Sequence, residues 1–317
     1  MIMPNADGRP VGPTSAASAA STAPTTSMAA PRGSSTVLRI VLGAQLRRLR
    51  EQRGITLEEA GHSIRASHSK ISRMELGRVS FRVRDVSDLL TLYGVTSDAD
   101  REPFLSLVEK ANLAGWWHNY NDVLPAWFET YVGLEESASG IRNYEVQFVP
   151  GLLQSEGYAR AVIRLGFPSA SPEELDRRVK LRMARQRLLH RQDPPHLWAV
   201  LDEAVLRRPL GGAEAMCEQI DHILRALELP NVTVQIVPFS VGGHAAAGGP
   251  FSILRFSQPD LPDIVYMEQL TSAVYLEKRD DVDSYLEVME RLCIEAEPAT
   301  RTREILLEIR EGFQARL

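Results

Sequence analysis

The sequence predicts a mainly α-helical N-terminal domain of five helices, followed by an α+β domain whose sheet is mostly antiparallel. Apolar residues recur at helical spacing as far as residue 114. Beyond that point strand-like and helix-like runs are mixed, and several consecutive strands have no helix between them, which is typical of an α+β fold. A length of 317 residues also fits two folded domains.

Composition divides the chain into three segments. Residues 1–35 are rich in Ala, Ser, Thr and Pro and have almost no large apolar side chains, so they are predicted to be a disordered tail and not a signal peptide. Residues 36–114 are predicted to form the helical domain, and residues 115–317 the α+β domain. Because no apolar run approaches the roughly 18 residues of a membrane span, and cysteine is sparse, a cytoplasmic protein is expected.

Two short helices joined by a turn are predicted in residues 54–77. Thr56 can cap the first of them, with Glu59 completing a capping box three residues later. Ser67 can cap the second helix, and Gly77 can supply its left-handed stop. The other predicted helices of this domain span residues 37–52, 83–93 and 99–114.

The second short helix has an inward side and an outward side. Helical spacing points Ile71, Met74 and Glu75 inward, whereas basic, imidazole and hydroxyl groups point outward or toward the helix start. Arg73 can pair with guanine, and Lys70 is better placed for a phosphate contact. These features favour a helix that enters the major groove of double-stranded DNA. The predicted DNA-binding residues are Thr56, Ser67, His68, Ser69, Lys70, Ser72, Arg73 and Arg78.

This segment resembles the Cro/C1-type (XRE family) helix-turn-helix of phage repressors and bacterial regulators, which implies a lambda-repressor-like domain. The resemblance also implies a buried structural pair between Arg50 and Glu75. One departure is Arg65, at a turn position that is often glycine in that family; because an arginine with positive φ is strained, the turn is expected to be reshaped. An alternative is a helical domain that has kept the pattern and lost DNA binding. The matching residues are 46–50, 54–57, 67–75 and Gly77.

The distribution of charge supports the DNA-binding interpretation. Residues 36–95 hold 11 Lys and Arg against 6 Asp and Glu, a net charge of +5. The whole chain has a net charge of −5 and residues 1–35 one of +1, so residues 96–317 carry −11. A basic block on an acidic chain is typical of a DNA-binding module, because the acidic remainder repels DNA.

In the second domain an aromatic-rich entry, residues 116–131, is interpreted mainly as core. The helix predicted at 171–191 carries seven basic residues, which either pair with carboxylates or grip an anion. The glycine-rich residues 242–249 lack a phosphate-binding ending and predict a hairpin loop or a lid. Strands are predicted at 143–149, 196–202, 232–238, 250–256, 263–269 and 273–277, and further helices at 155–165, 203–206, 213–227, 280–295 and 300–313.

No catalytic or metal-binding constellation is apparent. Asp202, Glu203 and Glu268, with His222 and His244, are the best candidates for an acid cluster or a metal site, but none of them shows a tight ligand spacing. Asp202 is better interpreted as a helix cap. No enzyme activity, metal or cofactor is therefore expected.

A second resemblance covers nearly everything after residue 36. It is to the actinobacterial WhiJ-like regulators, in which an N-terminal Cro/C1-type domain is joined to a C-terminal domain of unknown function. The resemblance implies a transcription factor tied to development or secondary metabolism, with a small acidic protein encoded nearby as a possible partner. It is carried by residues 149–154, 158–160, 182–186, 201–207 and 234–239.

The sequence therefore predicts a nucleoid-associated transcriptional regulator, a repressor acting as a homodimer, whose C-terminal domain senses a small molecule or a small protein. One alternative is an antitoxin-like protein that sequesters a small partner and regulates its own expression through DNA. A less favoured alternative is a hydrolase-like enzyme tethered to DNA. The candidate ligand-pocket residues, polar groups near predicted strand ends, are Tyr144, Gln154, Tyr158, Arg182, Arg185 and Glu203.

Overall fold

The structure is a computed structural model that describes residues 34–258 and 261–317. Its first part is a bundle of five helices. The helices are α1 (Ser35–Gln52), α2 (Leu57–Ser63), α3 (His68–Glu75), α4 (Val83–Leu92) and α5 (Asp98–Ala111). Leucines of α1 and α4 pack with Ile71 and Met74 of α3 in the bundle interior. The predicted fold class, a helical region followed by an α+β region, is confirmed.

The second part begins at a short 3-10 helix, Trp116–Tyr120, and contains seven α-helices and six strands among the described residues. Its helices are α6 (Ala126–Ser137), α7 (Glu156–Gly166), α8 (Pro172–Arg185), α9 (Glu203–Arg207), α10 (Ala213–Ala226), α11 (Arg279–Glu295) and α12 (Thr302–Gln314). Its strands are β1 (Gly140–Glu145), β2 (His196–Asp202), β3 (Val232–Val237), β4 (Phe251–Arg255), β5 (Ile264–Glu268) and β6 (Ala273–Leu276).

Within the described residues the strands form one mixed sheet in the order β3-β2-β1-β4-β5-β6. β1 pairs with β2, and β2 with β3, in parallel. The remaining three neighbours, β1–β4, β4–β5 and β5–β6, are antiparallel. Antiparallel pairs are thus the majority, but helical crossovers after β1 and β2 make one half of the sheet parallel.

The two faces of the sheet bury different side chains because successive residues of a strand alternate. One face packs in the large apolar core that also contains residues of α10, α12 and the N-terminal helices. The other face packs against α11, through Val282, Met289 and Leu292. Since the large core continues from the helical region into the α+β region, the predicted boundary at residues 114 and 115 stays a prediction.

The structure changes the limits of several predicted elements. The first strand covers 140–145 and not 143–149, because its pairing with β2 ends at Glu145 and its pairing with β4 ends at Tyr144. Helix α8 ends at Arg185, where Gln186 turns to hydrogen-bond the carbonyls of Gly151 and Gln154. The aromatic entry contains a helix, α6, that the sequence analysis missed.

Two further predictions concern the tail and the glycine-rich segment. The predicted disordered tail lies outside the described residues except for residues 34 and 35, which start α1: Ser34 caps the helix by accepting the Val37 N–H. The glycine-rich residues 242–249 do not form a hairpin, because they connect β3 to β4, which are separated in the sheet by β2 and β1. They run instead past the edge where β2 and β1 end.

Candidate nucleic-acid interface

The helix-turn-helix consists of α2, the turn at residues 64–66, and α3. Thr56 caps α2 in a capping box, with its hydroxyl and its N–H both within hydrogen-bond distance of the Glu59 carboxylate. Ser67 caps α3 by accepting the Lys70 N–H at 3.3 Å. Because both caps fix where a helix begins, they set the direction in which the first residues of α3 point.

Helix α3 is buried along one side and open along the other. Ile71 and Met74 are each 1% exposed and Glu75 is 7% exposed. His68, Ser69 and Arg73 are exposed, and Ser72 is half-buried. The open side of α3 therefore presents imidazole, hydroxyl and guanidinium groups on an accessible surface, which is the arrangement that base recognition in a major groove requires.

The turn keeps the left-handed conformation that the sequence analysis expected to be lost. Arg65 has φ +54°, and among the described residues it is the one non-glycine with positive φ. The expectation of a reshaped turn is therefore wrong. The geometry is imposed by its neighbours, because the N–H groups of Ile64 and Ala66 both donate to the Gly61 carbonyl. A left-handed L-residue costs roughly 1–2 kcal/mol, and the Arg65 side chain remains exposed.

Arg50 of α1 and Glu75 of α3 form a buried, bidentate ion pair. The Arg50 Nε donates to Glu75 Oε1 at 2.6 Å and its Nη2 to Oε2 at 3.0 Å. The third guanidinium nitrogen donates to the Ile55 carbonyl at 2.7 Å. The hydrogen bond to Glu75 is the main cause that raises the pKa of Arg50 above its usual value. This pair fixes α3 against α1 and against the chain segment that precedes α2.

A close contact between α1 and α3 depends on a glycine that the sequence analysis did not single out. A Cβ atom at Gly43 would lie 2.5 Å from the Met74 carbonyl oxygen and 2.6 Å from that of Glu75. Both atoms belong to the backbone, so a side chain at this position would force the helices apart. The available signal was a glycine inside a helix, which costs roughly 1 kcal/mol against alanine and suggests a packing reason.

Three predicted DNA-binding residues have other contacts within the chain. The Lys70 Nζ lies 2.5 Å from Asp85 Oδ2 near the start of α4. The Thr56 hydroxyl is engaged in the capping box, and Ser67 is engaged as the cap of α3. Arg78, directly after Gly77, is exposed. A phosphate contact by Lys70 therefore has to compete with a carboxylate of the same domain.

We expect Asp85→Asn to strengthen DNA binding, because it frees Lys70 to neutralise a phosphate. The slope of log binding constant against log salt concentration should become more negative by about one, because one more phosphate is neutralised. Titration of duplex DNA at several salt concentrations measures both quantities. Asp88→Asn, an exposed position on the same helix, is the control with the same change in charge. Equal salt slopes for the two variants would contradict a specific restraint by Asp85.

The six candidate pocket residues do not form one pocket. Tyr144 lies on the face of the sheet that packs against α11, with its hydroxyl 2.7 Å from His244 Nε2. Tyr158 lies on the other face, where its hydroxyl accepts the Val149 N–H. Glu203 begins α9 and accepts a hydrogen bond from the Phe239 N–H at 2.8 Å. Tyr144 belongs to β1 and Tyr158 to α7, and their side chains are buried in different apolar clusters, which proximity in sequence did not predict.

Gln154, Arg182 and Arg185 do come together, but mainly through contacts within the protein. Arg182 Nη1 donates to Gln154 Oε1 at 2.8 Å. Arg185 forms two hydrogen bonds with Glu135 of α6, at 2.7 and 2.8 Å, in a pair whose side chains are at most 5% exposed. Burial and the neighbouring Arg185 lower the pKa of Arg182 to about 10. These residues connect α6, α8 and the sheet.

Glu145, which the sequence analysis missed, ends β1 beside this group. Its carboxylate has no hydrogen bond or ion pair within the described residues. Burial, and secondly the charge of Glu268, raise its pKa to about 8, although Arg182 acts in the opposite direction. The folded protein therefore favours the protonated form of this acid to a higher pH than the unfolded chain does.

We expect Glu145→Gln to become progressively more stabilising, relative to the parent chain, as the pH rises from about 5 to 8. The reason is that the unfolded carboxyl ionises near its usual pKa of 4.5 and the folded one only near 8, so the parent loses stability across that window. Urea denaturation at several pH values measures the difference. Glu287→Gln, at an exposed position of α11, is the control. A pH-independent difference for Glu145→Gln would contradict the assignment.

Two family models match separate parts of the chain. Residues 41–104 match a family described as a helix-turn-helix domain, which supports a DNA-binding regulator of the XRE-like type. Residues 128–308 match the domain of unknown function DUF5753. Because this match covers more than half of the 317 residues, the chain belongs to the DUF5753 family. Neither curated proteins nor solved structures gave a match.

No helix in residues 34–258 or 261–317 has both the length and the apolar character needed to cross a bilayer.

Proposed function

We propose that the chain is a sequence-specific transcriptional regulator, a repressor, that binds double-stranded DNA with α3 in the major groove. The observation that carries the proposal is the exposed face of α3, where His68, Ser69 and Arg73 project from a helix held firmly on its other side. Arg73 is assigned to guanine, the commonest specific pairing of an arginine. His68 and Ser69 are assigned to base edges, and Lys70 and Ser72 to phosphates or the groove wall.

Electrostatics favour the same surface. The +5 charge of residues 36–95 contrasts with −11 over residues 96–317. A duplex is therefore attracted to the helix-turn-helix and repelled by the remainder of the chain. The alternative of a helical domain that has lost DNA binding gives no reason for this separation of charge.

We further propose that the chain acts as a homodimer. A single recognition helix reads only a few base pairs, and two helices placed about 34 Å apart on a near-palindromic site gain both affinity and specificity. The WhiJ-like assignment, with its tie to development or secondary metabolism, belongs to the same proposal. A nucleoid-associated location of the protein is also part of this proposal.

We propose that the C-terminal domain senses a small molecule or a small protein. This ligand would change DNA binding because it binds two states of the chain, one competent for DNA and one not, with different affinities. Helix α6 supports this, because it contacts α1 on one side and the sheet on the other. The Ser34 N–H donates to Ser137 Oγ at 2.6 Å. On the opposite side, the ring centroids of Tyr131 and of Tyr266 in β5 lie 4.2 Å apart. Binding, and not catalysis, is the proposed output of this domain.

Small residues make the contact between α6 and α1 close. Gly133 of α6 lies against Thr36 of α1, and a Cβ atom there would overlap the Thr36 hydroxyl. The Ser34 hydroxyl also donates to the Gly133 carbonyl. A shift of α6 caused by a ligand would therefore be transmitted to α1, and through the Arg50–Glu75 pair to α3.

The proposal is tested by selecting bound fragments from random duplex DNA at about 150 mM salt, since low salt inflates non-specific binding. A near-palindromic site with two half-sites is expected. Arg73→Ala should then lose about 1–3 kcal/mol of discrimination at one base position in each half-site.

Lys70→Ala is the matched control, because it should weaken all sequences alike. Retention of the full sequence preference by Arg73→Ala would show that another residue reads the bases. Failure of the parent protein to enrich any sequence would overturn the regulator proposal itself.

A further inference from the structure

A half-open groove of about 510 Å³ lies between α7 and α8 in the C-terminal domain. Val179, Met183 and Ala184 of α8 give it an apolar lining, and Tyr120 stands at its side. The volume is within the range of about 300–1,000 Å³ that small-molecule sites occupy. This groove contains none of the residues assigned to DNA or to the predicted pocket.

The acidic side chains of the groove are already engaged. Arg160 of α7 donates to Asp176 Oδ1 at 2.5 Å and to Glu156 Oε1 at 3.4 Å. One guanidinium thus lies between the two carboxylates that line the groove. Neither carboxylate is left as a strong site for a cation.

The remaining polar groups are hydrogen-bond donors. Lys180 and Arg187 are exposed, line the groove, and have no hydrogen bond or ion pair in the part of the chain that the structure describes. Lys180 and Ala184 are one turn apart on one face of α8, and Arg187 lies in the 3-10 helix, Gln186–His190, that directly follows α8. The Tyr120 hydroxyl likewise has no acceptor among the described residues.

The basic residues of α8 other than Lys180 have partners within the protein, unlike Lys180 and Arg187. Arg177 pairs with Asp122, Arg178 with Glu174, and Arg185 with Glu135. In a region with a net charge of −11, cations have many carboxylates to pair with. Lys180 and Arg187 instead line the groove beside its apolar surface.

We propose that this groove binds a small organic anion, with its carboxylate or phosphate on Lys180 and Arg187 and its apolar body on Val179, Met183 and Ala184. Arginine matches the geometry of either anion with paired N–H donors, and lysine adds a point charge. The Tyr120 hydroxyl supplies a further donor. The site does not depend on the proposed DNA-binding function, and its occupant is a candidate for the sensed molecule.

The test is calorimetric titration of the full chain with three probes: 2-naphthoate, 2-naphthyl phosphate and the uncharged 2-naphthamide. One or both anions should bind, and the amide should bind at least about tenfold more weakly, the loss expected when charge-assisted hydrogen bonds are removed. The stronger anion indicates whether carboxylate or phosphate is the preferred group. Lys180→Gln/Arg187→Gln should lose about tenfold or more of the anion affinity.

Arg225→Gln/Arg291→Gln, at exposed positions on α10 and α11, removes the same charge elsewhere and should leave affinity unchanged. Ala184→Leu should weaken the naphthyl anions by filling the apolar surface. Thermal unfolding verifies that all variants are folded. No binding of either anion up to about 1 mM, or equal losses in the two double variants, would overturn the assignment. DNA titration is done separately, so a failure here is distinguishable from a failure of DNA recognition.

Discussion

Glu75→Ala is expected to lower the free energy of unfolding of the helix-turn-helix by about 3–5 kcal/mol, the usual cost of leaving one member of a buried pair without its partner. The Arg50 guanidinium would keep one hydrogen bond, to the Ile55 carbonyl, and lose both of those to the carboxylate. Urea denaturation measures the loss, and hydrogen exchange of the α1 and α3 amides locates it. DNA binding should fall with it, because α3 loses its fixed orientation.

Glu51→Ala is the matched control for this prediction. Its carboxylate lies 2.8 Å from Arg47 Nε, in a pair whose side chains are both more than half exposed, and 3.5 Å from Arg50 Nη2. Such surface pairs contribute about 0–1 kcal/mol. Arg50→Met/Glu75→Leu should recover most of the stability, because a buried pair replaced by apolar residues leaves no unpaired charge. If Glu75→Ala costs no more than Glu51→Ala, the pair does not hold α3 in place.

Glu135→Ala is expected to have a comparable effect in the C-terminal domain, again about 3–5 kcal/mol. Arg185 is almost fully buried and has two hydrogen bonds to this carboxylate, while its guanidinium also lies 5.0 Å from the Phe128 ring centroid. Since Glu135 holds α6 against α8, its removal should also loosen α6. If α6 transmits a signal to α1, DNA affinity should change although α3 is untouched.

Asp122→Ala is the control here, because its pair with Arg177 is exposed on both sides. It should cost about 1 kcal/mol or less and leave DNA affinity as it was. Measuring stability and DNA affinity together separates two roles of Glu135. A loss of stability without any change in DNA affinity would retain the structural role and contradict the proposed transmission through α6.

The helix-turn-helix was predictable because its signals are local. Caps at Thr56 and Ser67, the stop at Gly77 and the inward face of α3 are each set by residues within about one helical turn. The structure places all of these where the sequence analysis expected them. Arg65 is the exception, because the hydrogen bonds around the turn override the preference of its own side chain.

The candidate pocket was less predictable because it depends on strand order and on which face each residue occupies. Tyr144 and Tyr158 are close in sequence, but their side chains are buried on opposite faces of the sheet. Glu145 was overlooked because its unusual environment comes from Glu268 and Arg182, both distant in sequence. The groove at Lys180 and Arg187 becomes apparent only when their neighbours on α8 are seen to be paired.

The sequence alone determined the fold class, the position of the helix-turn-helix, the basic face of α3 and the separation of charge along the chain. Periodicity, capping and net charge contain this information because they act over a few residues or over whole segments. The tertiary structure decided the order of the strands, the engagement of Lys70 by Asp85, and the cations at Lys180 and Arg187 that have no carboxylate partner among the described residues. Those outcomes depend on which distant residues meet, and no local pattern in the sequence specifies that.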